Sequence, residues 1–112
     1  MAFTKEATLQ GFDRTFSVHP ECKPYTLRDN GFTKTKGGNH LYKRDMNVET
    51  NQGLVLKVTV NEGLDSLSIS TVNKTGLKYI DVTKLDNNEM VTEKINFIFD
   101  GFVDRGVFVE IK

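Results

Sequence analysis

The chain has 112 residues, 38% hydrophobic and 27% charged, and its 15 basic and 15 acidic side chains give a formal net charge of zero. That describes one domain, 1–112, long enough to bury a core without disulfide or metal staples, and neither polar enough for a disordered chain nor apolar enough for a membrane one. A lone cysteine, Cys22, excludes an internal disulfide and points to a reducing compartment; with no apolar run near Lys5 and Glu6 and no stretch of membrane-spanning length, the expected location is the cytoplasm.

Two short strands are expected at Ala7 to Leu9 and Phe16 to Val18, with Gly11 and Asp13 in the turn between them. Pro24 suits the first turn of a short helix that closes at Gly31, a residue free to adopt the left-handed conformation of a helix end. Phe32 to Lys36 and His40 to Arg44 form a hairpin around Gly37 and Gly38. After a polar loop at Asn47 to Gly53, the alternation predicts a strand over Leu54 to Val60 with Leu54, Leu56, Val58 and Val60 on one side. Asp65 to Val72 repeats the pattern, with Leu67, Ile69 and Thr71 inward and Ser66, Ser68 and Ser70 outward, and Leu77 to Val82 reads as a further strand. From Asn88 to Arg105 the period changes to that of a helix: Val91, Ile95, Ile98 and Phe102 share a face, which Met90, Phe97, Phe99 and Val103 widen. Asn87 or Asn88 caps it, Gly101 marks a close approach by another element, Gly106 ends it, and Val107 to Lys112 finishes as a strand. Tight turns imply an antiparallel sheet, and helices covering its apolar face make the fold class α+β.

Charge is unevenly spread. Lys23 to Arg44 holds six bases against Asp29, whereas Leu85 to Lys112 holds six acids against three bases. Within the basic stretch, Lys34, Lys36, Tyr42, Lys43 and Arg44 are the candidate binding residues, since bases with an interleaved aromatic can hold phosphates and stack a base; zero net charge and a short patch argue against nucleic acid. Cys22 is the candidate reactive residue, because Lys23 and His19 nearby could lower its pKa and make a thiolate available for sulfur transfer. His19, Cys22 and His40 do not have the spacing of a metal site, Asp100 and Asp104 read as surface charges, and the serines lack a histidine to activate them. No catalytic set and no cofactor are implied.

The run Tyr25-Thr26-Leu27-Arg28-Asp29-Asn30-Gly31-Phe32, continuing through the hairpin to Lys43-Arg44, resembles domain of unknown function 1831, a family of small bacterial proteins of about this length. The resemblance implies a fold like the TATA-binding-protein class, a curved antiparallel sheet with a long C-terminal helix and a short helix packed on one face. It also implies a place in amino-acid metabolism, some members being labelled as related to cysteine desulfurase. Such an enzyme is several times longer and holds pyridoxal phosphate on a lysine, so the label is read as association. The expected function is therefore a non-catalytic accessory or interaction domain linked to cysteine and sulfur metabolism, with a cysteine desulfurase or another protein as partner and no membrane. Sulfur relay through Cys22 and phosphate or nucleic-acid binding by the hairpin are the alternatives.

Overall fold

The computed structural model describes residues 3–46, 53–85 and 88–111. In chain order these form β1 (Ala7–Thr8), β2 (Thr15–Val18), α1 (Pro24–Asp29), β3 (Thr33–Lys34), β4 (His40–Asp45), β5 (Val55–Val60), β6 (Leu67–Val72), α2 (Asn88–Asp104) and β7 (Phe108–Ile111), with a 3₁₀ turn at Val82–Lys84. All strand pairs are antiparallel, in two sheets ordered β3-β4-β5-β6 and β1-β2-β7. The backbone of Thr4 exchanges hydrogen bonds of 3.0 and 2.8 Å with Leu67 at the start of β6, so the two sheets are stitched together there. The fold is α+β, and the Asn87 cap, the loop over residues 47–52 and the terminal residues lie outside the described residues.

Alternation decides the sidedness of β4, β5 and β6. Tyr42 lies opposite Val58, and Val58 opposite Ile69, so His40, Tyr42 and Arg44 share a face with Leu56, Val58, Val60, Leu67 and Ile69. That face meets α2, whose Val91, Ile95, Phe99 and Phe102 are buried. Ile98 is only partly buried, and Met90 and Phe97 are 62% and 78% exposed, so the stripe is narrower than the sequence suggests. At 100° per residue, a helix face centred on Ile95, Phe99 and Phe102 carries Phe97 round to solvent.

A connected set of rings fills the centre. Phe16 contacts Phe99 and Phe108 at centroid distances of 4.9 and 5.5 Å, and Phe102 contacts Phe32, Tyr42 and Phe108 at 5.6, 5.1 and 5.3 Å. Both helices end alike. After α1, the amides of Gly31 and Phe32 donate to the carbonyls of Arg28 and Leu27; after α2, those of Gly106 and Val107 donate to Val103 and Phe102. Each glycine has a positive φ, 92° and 77°, as this helix ending requires. The sharp exits turn Phe32 and Val107 straight back into the core.

Leu77 to Val82 does not form the strand expected of it. Only Tyr79 bridges to Val72, because the Asn73 side chain accepts from the amides of Leu77 and Lys78 and holds a loop, leaving Leu77 89% exposed. In β7 the inward residue is Phe108, while Ile111 is 39% exposed. Glu110 shares the inward side and is satisfied by Arg14, whose Nε and Nη2 donate to its two carboxylate oxygens at 3.1 and 2.9 Å.

Candidate functional site

A cleft of about 910 Å³ opens between α2, the end of α1 and the end of β4. The residues that open it follow from the secondary structure. Tyr42 ends the packed part of the β4 inner row, so Arg44, one step further on the same face, passes the core and reaches the cleft. The glycine exit of α1 brings Asn30 and Gly31 to the opposite wall, where a Cβ on Gly31 would lie 3.3 Å from the Tyr42 ring. Along α2, Glu93, Lys94, Phe97, Ile98, Asp104 and Arg105 form the floor and rim.

Electrostatically the cleft is mixed. Asp29, Asp45, Glu93, Asp100 and Asp104 line it with Arg44, Lys94 and Arg105. Asp100 is the surface charge expected from sequence, its side chain 62% exposed, and it pairs with Arg14 at 2.8 Å. Lys94 reaches the carbonyl of Met46 at 3.5 Å, and the Arg105 Nε–H donates to Asn30. An exposed phenylalanine ringed by charges of both signs has the make-up of a binding surface for a ligand with an apolar part and ionised ends.

The structure separates the residues of the basic hairpin. Lys34 and Lys36 are exposed on β3 and the turn, and Lys43 points to the face opposite Tyr42 and Arg44. Tyr42 is 8% exposed, with its ring packed on Phe32 and Phe102, which leaves no free face for stacking a base. Of the five, Tyr42 and Arg44 alone border the cleft. Period-2 alternation caused this division, since neighbours in a strand face opposite ways.

Cys22 is 4% exposed and does not border the cleft. Burial pushes its thiol pKa up, and the opposing effect of Lys23 is smaller, so the thiolate expected from its cationic neighbours is disfavoured. Its Sγ lies 3.9 Å from the Lys23 carbonyl oxygen. We expect a water-soluble disulfide reagent to modify Cys22 at least about tenfold more slowly in native protein than in denaturant, followed by absorbance; equal rates would contradict the burial argument.

His40, paired with Lys34 next to the hairpin turn, is 8% exposed. Burial and then Lys34 push its pKa below the ordinary 6.5, with Glu62 opposing. Because the folded pKa is the lower one, the unfolded chain takes up the proton first as pH falls, so stability is full above about pH 6.5 and declines below it. A urea midpoint that drops between about pH 7.5 and pH 5.5, with a smaller drop in His40→Gln, is the expected result. An identical drop in both proteins would assign the effect elsewhere.

A second hollow, of about 330 Å³, lies between β6 and the end of β1, lined by Thr8, Gln10, Ser68, Ser70 and Tyr79 among others. The Ser70 Oγ there is buried without a hydrogen-bond partner among the described residues. No group of three His, Cys, Asp or Glu side chains among the described residues is placed to hold a metal, and no helix among them is long and apolar enough to cross a membrane.

Reasoning from sequence missed Phe97 and Arg105 as cleft residues and Asn30 as a positioning one. The available signal was Phe97 itself, a large aromatic two positions from the buried Phe99 on a helix, which the helical period turns outward.

The family profile described as DUF1831, "Putative amino acid metabolism", matches residues 1–109. The crystal structure of a DUF1831 family protein from Lactobacillus plantarum is similar at 28% identity, with 99% of each chain covered and a TM-score of 0.86. No curated protein matches the chain.

Proposed function

The chain belongs to the DUF1831 family, and from that premise we propose that it acts by binding, as a non-catalytic cytoplasmic accessory domain of amino-acid metabolism whose contact site is the cleft between α2 and β4. One observation carries the reading: the cleft between α2 and β4 presents Phe97, 78% exposed, between unlike charges, whereas Cys22 lies buried outside it. An exposed aromatic within a charged rim is the usual make-up of an interaction anchor. Cysteine desulfurase is the partner that the cysteine and sulfur link favours. It docks over Phe97 with the rim charges setting its orientation.

Titrating the protein with purified cysteine desulfurase, and weighing it intact after incubation with the enzyme and cysteine, tests this. Phe97→Asp should weaken association about tenfold or more, Cys22→Ser and Lys36→Glu should leave it unchanged, and the mass should stay constant. A gain of sulfur on wild type that vanishes in Cys22→Ser would replace the proposal with sulfur relay. Association lost in Lys36→Glu but kept in Phe97→Asp would move the contact to the hairpin.

A further inference from the structure

The cleft contains two guanidinium groups, Arg44 and Arg105, that form no salt bridge among the described residues despite the carboxylates around them. Arg105 is held in place by its surroundings. Its Nε–H donates to the Asn30 side-chain oxygen, and Asn30 is itself fixed by donating from Nδ2 to the Thr26 carbonyl at 2.8 Å. A Cβ added to Gly101 would lie 2.7 and 2.9 Å from Nη2 and Nη1, so the guanidinium rests against α2 where the helix has no side chain. Two helices thus aim this group while its Nη donors remain unspent among the described residues. A planar fork of that kind matches a carboxylate.

The remaining lining completes a ligand. Glu93 and Asp104 form no salt bridge among the described residues and offer negative charge, and Phe97 and Ile98 offer an apolar surface. Positive, negative and apolar groups in one cleft correspond to the three parts of an amino acid. We propose that the cleft binds a free α-amino acid with an apolar side chain. Its carboxylate pairs with Arg105 and Arg44, its ammonium lies beside Asp104, and its side chain runs along Phe97. This rests on the assignment of the cleft as the contact site. A single amino acid occupies part of the 910 Å³.

Calorimetric titration with L-leucine, 4-methylpentanoate, 3-methylbutylamine and inorganic phosphate separates the contributions. L-Leucine should bind, and each of the others should bind at least about tenfold more weakly, since each lacks one charged contact or the side chain. Arg105→Lys keeps the charge but not the fork and should weaken L-leucine about tenfold. Gly101→Ala is the variant that separates fold from site. It favours the helix and should not lower the unfolding midpoint, yet it displaces the guanidinium and should weaken L-leucine several-fold.

Phosphate or 4-methylpentanoate binding as tightly as L-leucine would overturn the proposal in favour of a general anion site. Undiminished L-leucine binding in Gly101→Ala would overturn the role given to Arg105. If L-leucine fails to bind wild type while desulfurase still binds through Phe97, this proposal falls and the accessory reading stands; failure of both removes both.

Discussion

Phe102→Ala should lower the stability of the protein by about 3–5 kcal/mol, read from urea unfolding followed by circular dichroism. The side chain is 1% exposed and its ring touches three others, edge-on to Tyr42 and Phe108 and tilted against Phe32. Those partners come from β4, β7 and the segment after α1, elements that cannot close together over the missing ring without moving their backbones. The loss therefore combines the transfer free energy of a phenylalanine with a cavity that relaxes only in part. A domain of this size has about 5–15 kcal/mol in hand, so the variant should be marginal. Phe97→Ala, five residues earlier on the same helix, should change stability by no more than about 0.5 kcal/mol, because that ring is already in solvent. Equal losses at the two positions would contradict the helix orientation on which the cleft depends.

Arg14→Ala should cost about 2–3 kcal/mol, measured in the same way. Its guanidinium ties β7 to α2: two bonds to Glu110 of β7, and on α2 one of 3.1 Å to Asn96 and one of 2.8 Å to Asp100. It also lies over the Phe16 ring at 5.1 Å. The hydrogen bonds to Glu110 outweigh its desolvation and raise its pKa, with Asp100 adding to the effect, so it stays charged at every pH the fold survives. The Asp100 contact adds little because that side chain is 62% exposed and screened by solvent. Most of the cost comes from removing the bidentate partner of Glu110, whose side chain is only 23% exposed. Arg14→Lys should recover less than half of the loss, since an ammonium cannot reproduce the fork. A loss below about 0.5 kcal/mol in Arg14→Ala would show that the cluster is an ordinary surface arrangement.

Much of the architecture was legible because it depends on short-range rules. The period-2 rows of β5 and β6 placed Leu56, Val58, Leu67 and Ile69 inward, and Pro24, Gly31 and Gly106 marked helix ends through backbone geometry that few other residues allow. The site was less legible because it depends on register and on which way single side chains turn. Arg44 and Lys43 are neighbours in sequence and face opposite sides of the sheet, so a basic run could not reveal that only one of them borders the cleft. Gly101 did signal a close approach, but the group that approaches is the Arg105 side chain folding back along its own helix. The Glu110 partnership with Arg14 spans almost the whole chain and left no local trace, and Leu77 to Val82 failed as a strand because Asn73 supplied loop contacts that alternation does not register.

An amide chemical-shift map of the protein with L-leucine, repeated with cysteine desulfurase, tests the cleft as the functional site most directly. Both should perturb Gly31, Arg44, Phe97, Gly101 and Arg105, while the hairpin tip at Lys36 to Gly38 and the serine face at Ser66 to Ser70 stay unmoved. Perturbation confined to the hairpin tip or the serine face, with the cleft silent, would contradict it.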